Sequence, residues 1–357
     1  MAAIHQLVAG FSNGDAISNE ALVLRRIFRS WGYASDIFSE RRRILPELRR
    51  EARDIADCAG AFGPSDVALL HLSIGSPVND LFPSLPSAKV ILYHNVTPPH
   101  YFQTIQPRIA YDLDKGLRQV RALAGVAKVN MADSRFNAGE LASLGYRDVK
   151  TLPLVLDADR LNTTPDRVQM KKLNDGKINV LFVGRCAPNK RIEDDLLAFS
   201  YFQRFVEPES RFIHVGSFAG TERYYYYHLS VARDLRLHSV VFTQSVSQPL
   251  LNAYYRRAHV FLTMSEHEGF CIPLVESMFH DVPVLAYAAA AVPETLDGAG
   301  CLVREKSFET IAELMGRLVH DKSLRKAVIA RQRQRVTQYF KRDLEAELRQ
   351  HLAEVCP

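Results

Sequence analysis

Short apolar runs punctuate this chain, and each is followed by a turn and then by residues at helical spacing. In the first half the runs are IHQLVAGF, VALLHLS, KVILYHNV and KVNMADS; the first leads into a helical pattern from Ser18 to Trp31 and the last into FNAGELASLG. Apolar runs alternating with amphipathic segments predict parallel strands joined by crossover helices, because parallel strands need long connections and bury both faces. The rhythm pauses at LPLVLDADRLNTTPDRVQMKKLNDG, which is polar and rich in turn residues. It then restarts with INVLFVGR and continues through RFIHVGSF, SVVFTQSV, HVFLTMS, PVLAY and GCLV. The pattern predicts two consecutive open α/β domains with a boundary between about residues 157 and 176 and a ligand cleft between them, since open sheets bind ligands outside the carboxyl ends of their strands. Tyr224–Tyr227 reads as the start of an amphipathic helix. Ser323 to Val355 reads as one long charged helix that closes the second domain and packs back on the first.

Composition agrees with two domains, because 357 residues exceed one ordinary core. An apolar fraction of 47% with 24% charge is that of a globular enzyme rather than a disordered chain. The net charge of +5 suits an anionic small ligand or an anionic membrane surface. Nucleic acid is not an expected partner, because the basic residues are dispersed and lack interleaved aromatics. The five cysteines contain no C-x-x-C pair, so a reducing cytoplasm is expected rather than a disulfide framework or a zinc site. The N-terminus lacks a basic region before its apolar residues, and no 18-residue apolar run occurs, so neither a signal peptide nor a membrane span is expected.

The stretch EHEGFCIPLVE, residues 266–276, keeps two carboxylates in an otherwise apolar segment. Following the strand HVFLTMS, Pro273 stands where a helix can begin, which would aim the amides of Gly269, Phe270, Cys271 and Ile272 out of a helix N-terminus, a place that favours phosphate. An ionised glutamate only accepts hydrogen bonds, and a pair of neighbouring sugar hydroxyls satisfies both its oxygens. One helix start could therefore hold phosphate on amides and sugar hydroxyls on Glu268 and Glu276, the grip a nucleotide-sugar requires. The plainer reading is that these glutamates complement the helix dipole.

The longer segment EHEGFCIPLVESMFHDVPVLAYAAAAVPE is similar to the signature of family-4 glycosyltransferases of the GT-B fold, the glycosyl transferases group 1. In that signature an E-G-F-G-x-P-x-x-E run precedes a P-V-x-A strand and a later P-E. Cys271, Asp281 and the alanines before Val292 depart from the family's glycines. The resemblance implies two Rossmann-like domains facing across a cleft: residues 1–160 on the acceptor side, residues 170–330 binding the nucleotide-sugar, and a C-terminal helix over 331–357. It implies that Glu268 contacts the donor sugar and Glu276 the ribose. In FVGRCAPNKRIEDDLLAF, Arg185 and Lys190 match the family's diphosphate clamp, whose two cations would offset charge building on the leaving group. VVFTQSVSQPLLNAYYRRAHVFL resembles the segment whose loop, here Gln244, Ser245 and Val246, packs on the base. In AGFSNGDAISNEALVLRRIFRSWGY, Gly14 would let the backbone approach the diphosphate and Asp15 would face a sugar, unless it is a helix cap. YHNVTPP carries the family's strand-end histidine, so His94 is a candidate active-site residue, with His71 in VALLHLS a weaker one. Ser134 and Asn137 in ADSRFNAGEL look like a helix start.

By the same resemblance the sugar is transferred with retention of configuration, by a front-face displacement in which the leaving phosphate takes the acceptor's proton. No residue is assignable as a covalent nucleophile. Neither a metal nor another cofactor is expected; Asp157–Asp159 looks like the metal motif of a different glycosyltransferase fold but lies in the linker. A same-fold epimerase or sugar phosphorylase and a non-catalytic sugar-binding protein are the alternatives. The six arginines from Arg41 to Arg53, beside Ile44, Leu45 and Leu48, read as a short basic helix with an apolar edge. Such a helix either rests on an anionic inner leaflet, delivering the site to a lipid-linked glycan, or is solvated with its arginines paired to Glu40, Glu47, Glu51 and Asp54. The expected function is thus transfer of a hexose in surface polysaccharide or glycolipid assembly, in the cytoplasm.

Overall fold

The computed structural model describes residues 2–58 and 60–356. The chain forms two compact units: one holds residues up to Gln103, Pro107–Val155 and the segment from Asp343, and the other holds Thr104–Gln106 and Leu156–Arg342.

Among the described residues the first unit contains a seven-stranded sheet of β1 (Ile4–Val8), β2 (Ile37–Ser39), β3 (Arg53–Asp54), β4 (Val67–Leu72), β5 (Ala88–Tyr93), β6 (Val129–Ala132) and β7 (Lys150–Thr151), in the order β3-β2-β1-β4-β5-β6-β7. The pairings are parallel. Near-continuous Val, Leu and Ile in β1, β4 and β5 is what burial on both faces demands. Ile4, Leu69, Leu92 and Met131 meet Leu24 and Phe28 of the helix Ala16–Ser30 in one core, which also takes Leu348 and Leu352 from the C-terminal helix Leu344–Leu352. Full burial of each such side chain contributes about 1.5–3 kcal/mol.

The second unit repeats the plan with β8 (Ile178–Val183), β9 (Ser210–Val215), β10 (Val240–Phe242), β11 (Val260–Thr263), β12 (Val284–Tyr287) and β13 (Cys301–Val303), parallel in the order β10-β9-β8-β11-β12-β13. Its core gathers Phe182, Phe199, Phe212, Leu262 and Met315 between the sheet and its helices. The predicted two-domain α/β architecture is therefore the observed one. No helix among the described residues is long and apolar enough to cross a membrane.

Two expectations are corrected. The segment 39–54 is not a basic helix: it forms single 3-10 turns at Arg41–Arg43 and Pro46–Leu48, then β3. Pro46 stops a helix from running through the segment, because the residue before a proline is pushed to extended backbone. Ile44 and Ala52 turn into the core, while Arg43 pairs with Glu40 and Asp112 and Arg53 with Asp36. The single helix expected from Ser323 to Val355 is two, Lys322–Phe340 and Leu344–Leu352. Asp343 ends the first pattern by capping the second helix, its carboxylate accepting from the Ala346 amide at 3.0 Å.

Candidate functional site

In the second sheet the chain moves outward from β8 to β10, then returns to the other side of β8 with β11. The loops after β8 and β11 therefore leave neighbouring strand ends in opposite directions, which is where open sheets hold ligands. Gly216, after β9, makes this corner as tight as it is: a Cβ there would lie 1.9 Å from the Gly184 carbonyl oxygen. That oxygen accepts from His214 Nε2 at 2.8 Å. Burial holds the His214 imidazole down at a pKa of about 4, so it stays neutral.

The two loops are joined by Asn189, whose side-chain amide donates to the His267 carbonyl at 2.9 Å and whose own carbonyl accepts from the Glu266 amide at 2.9 Å. That join sets the next residue, Lys190, opposite Glu268. Lys190 Nζ lies 2.5 Å from Glu268 Oε2, with the glutamate side chain 7% exposed and the lysine 21%. Arg185 is exposed just past the end of β8. The loop of Glu268 is itself pinned, since the Ala291 amide donates to the Glu268 carbonyl at 3.2 Å and Thr295 Oγ1 to the Phe270 carbonyl at 2.5 Å.

The helix after this loop runs Ile272–Phe279 with Pro273 in its first turn. Cys271 precedes it in the left-handed region at φ +69°, where the family's glycine would be unstrained. Its thiol is pushed well up by burial and by the neighbouring Glu268 charge, so it is no thiolate. Gly269 and Ile272 are half-buried and Phe270 is buried. Glu276, one turn on, is buried and doubly held: Tyr255 Oη donates to Oε2 at 2.7 Å and Arg160 pairs with Oε1. Burial, then the Glu276 charge, pushes the Tyr255 phenol well up and keeps it a donor. In the loop after β10, Gln244 and Ser245 are exposed and Val246 half-buried.

Sequence reasoning missed several supports. Arg160 and Tyr255 lie far from Glu276 along the chain. Lys306 Nζ bridges Asp194 at 2.6 Å and Glu266 at 2.7 Å, bracing the loop that carries Glu268. Asp195, fully buried, accepts from the Met264 amide at 2.9 Å, fixing the end of β11. Asp157, in the D-A-D stretch, is a helix cap accepting from the Asp159 and Arg160 amides. Cys186, His228 and Glu193 follow one another like a nucleophile triad, but burial pushes the Cys186 thiol up to about 12, the opposite of activation.

In the first unit, Gly14 takes φ +72°, and Asp15 caps the helix Ala16–Ser30, accepting from the Ser18 amide at 2.8 Å and hydroxyl at 2.7 Å. Ser134 caps the helix Arg135–Ser143, where Asn137 donates to Asp133. His94 follows β5, and its side chain is 2% exposed. Its Nε2 lies 2.9 Å from His71 Nδ1 and 3.5 Å from Glu20 Oε2, and its Nδ1 lies 3.5 Å from Asp133 Oδ2. Gln6 sets the protons here. Its amide nitrogen donates to the Ala21 carbonyl at 2.9 Å, so its oxygen faces His71 Nε2 at 2.9 Å and accepts from it. His71 Nδ1 is then an acceptor, and His94 Nε2 is the donor between the rings. Burial opposes charging of His94, yet Asp133 and Glu20 outweigh it and hold the pKa above its ordinary value. Burial holds His71 well below.

A family model described as glycosyl transferases group 1 matches residues 165–335. The capsular polysaccharide biosynthesis glycosyltransferase CapM of Staphylococcus aureus is 31% identical over 104 residues, 29% of this chain and only 27% of that protein's length. The sucrose-phosphate synthase of Thermosynechococcus elongatus superposes with a TM-score of 0.77 at 17% identity, covering 99% of each chain. HepE of Anabaena, solved with UDP and glucose, gives 0.73 at 15%, again over 99% of each. The second unit thus matches the model of the glycosyl transferases group 1 over residues 165–335, and over its whole length the chain has the GT-B fold.

Proposed function

We propose that this protein transfers a sugar, a hexose by resemblance, from a nucleoside-diphosphate sugar to a glycan or lipid-linked acceptor with retention of anomeric configuration, in assembly of a surface polysaccharide or glycolipid. The observation that carries this reading is the Lys190–Glu268 pair, 2.5 Å apart at the switch point of the second sheet and beside a helix start. An ammonium has three donors, so Lys190 can keep Glu268 oriented and still hold a phosphate oxygen. With Arg185 it would offset charge building on the departing diphosphate. Glu268 would take donor-sugar hydroxyls and Glu276 the ribose hydroxyls, its spare lone pairs aimed by Tyr255 and Arg160. Amides of Gly269, Phe270, Cys271 and Ile272 would face the phosphates, and the Gln244–Val246 loop would pack on the base. By the same resemblance the leaving phosphate would take the acceptor's proton in a front-face displacement. Two likenesses support the reading: the capsular enzyme of S. aureus and the UDP- and glucose-bound HepE.

The test supplies a panel of nucleotide-sugars with a lipid-linked glycan extract and reads the anomeric configuration of the product by NMR. The expected product keeps the donor's configuration. An inverted product, donor isomerisation without acceptor, or a requirement for inorganic phosphate would overturn the reading.

A further inference from the structure

The first unit gathers His94, the candidate active-site histidine, with His71, Glu20 and Asp133 in one buried cluster. Parallel pairing brings the carboxyl ends of β4, β5 and β6 side by side, and the helix after β1 faces them. His71, His94 and Asp133 come from those ends, and Glu20 from the helix. The ligating atoms of Glu20, His71 and His94 all lie within 4.8 Å of one another, and the three residues are buried.

We propose that Glu20, His71 and His94 form a binding site for one divalent first-row transition-metal ion, of which zinc fits the donor set best. Three features point to a ligand rather than to a simple polar cluster. The first is spacing. The pairs are 2.9 Å (His71 Nδ1 to His94 Nε2), 3.5 Å (His94 Nε2 to Glu20 Oε2) and 3.9 Å (His71 Nδ1 to Glu20 Oε2). The circumradius of that triangle, the product of its sides over four times its area, is about 2.0 Å, the length of a zinc–imidazole or zinc–carboxylate bond.

The second is the outer ring of partners. A metal-bound histidine turns its other ring nitrogen to a carboxylate or an amide oxygen, which fixes its orientation. His71 Nε2 donates to Gln6 Oε1 at 2.9 Å, and His94 Nδ1 faces Asp133 Oδ2 at 3.5 Å. Gln6 and Asp133 are anchored in turn by the Ala21 carbonyl and by Asn137. Glu20 keeps its other oxygen on the Val155 amide at 3.3 Å. Each candidate ligand is thus oriented by a group of its own. The third is chemistry: two neutral imidazoles and a carboxylate are a common donor set for zinc, and its fourth position is filled by water in many sites. The exchange balances with His94 starting as an imidazolium: the ion displaces the Nε2 proton, which goes to solvent, and the Nδ1 proton stays toward Asp133, leaving a neutral imidazole ligand.

The inference does not rest on the proposed transfer reaction, and its test does not read activity. The full chain, purified without chelator and without a metal-affinity column, is analysed for metals; it is then stripped, titrated with Zn²⁺, and with Co²⁺ as a spectroscopic probe. Near one equivalent of bound ion is expected, with the visible bands of tetrahedral cobalt. His71→Gln should abolish the bands, and Asp133→Asn should weaken binding about 10–100-fold. Wild-type protein that holds neither ion after incubation with excess overturns the proposal, whether or not the variants fold. So does a folded His71→Gln protein that binds as tightly as wild type.

Discussion

Replacing Lys190 by alanine separates two things the Lys190–Glu268 pair does. Removing the ammonium leaves the Glu268 carboxylate, 7% exposed, without its cation. Breaking a buried pair by deleting one partner costs about 3–5 kcal/mol; Lys190 is 21% exposed, so solvent reaches the pair and about 2–3 kcal/mol is expected here. Glu268→Ala strands the more flexible and better-hydrated partner, whose four-carbon stem can carry it to water, and should cost about 1 kcal/mol. In turnover the order changes. On the proposed reading each variant loses a charge contact to the reacting group, so each should slow sugar transfer about 10²–10³-fold. Urea unfolding of both variants and the double mutant, alongside single-turnover rates with saturating donor, measures both effects. The reasoning is refuted if Lys190→Ala turns over within a few-fold of wild type, or if Glu268→Ala is the more destabilising of the two.

Three further outcomes follow. Glu276→Ala should weaken donor affinity about tenfold or more while changing the saturated rate little, because the proposed ribose contact would be made equally in ground and transition states; unchanged affinity by calorimetry would remove the ribose role. Gly216→Ala should destabilise the second unit by about 3 kcal/mol, since its Cβ would stand 1.9 Å from the Gly184 carbonyl oxygen and the corner must open; a melting temperature within a degree of wild type would contradict it. His214, held at a pKa of about 4 by burial, binds its proton more weakly folded than unfolded, so acid favours unfolding between pH 6.5 and 4, by up to about 3 kcal/mol. His259 and His280, also near 4, add the same sign, and a flat stability profile over that window would contradict the account.

Much of the fold was legible because parallel strands announce themselves. KVILYHNV and INVLFVGR are apolar on both faces and became β5 and β8. The segment 39–54 was misread because spacing alone ignores Pro46, and because an arginine-rich face looks the same whether it meets water or the carboxylates of Asp36 and Asp112. The C-terminal break needed more weight on Asp343, a good cap inside a helical pattern. At the site, Glu268 and Lys190 were singled out by motif, but their meeting, 78 residues apart, comes from strand order. Arg160, Tyr255 and Lys306 left no local mark, since a second partner for a carboxylate has no required spacing along the chain. The Glu20, His71, His94 and Asp133 cluster had a signal that went unused: polar residues at the ends of successive apolar runs become neighbours once those runs pair in parallel.

The central claim is that the second unit grips a nucleotide-sugar through Lys190. It is tested most directly by calorimetric titration of wild-type protein and Lys190→Ala with a panel of nucleotide-sugars and their free sugars. The account predicts saturable binding of at least one nucleotide-sugar by wild type, no binding of the matching free sugar, and at least tenfold weaker binding of the nucleotide-sugar by Lys190→Ala. Wild-type protein that binds no nucleotide-sugar, or a Lys190→Ala protein that binds one as tightly as wild type, would contradict it.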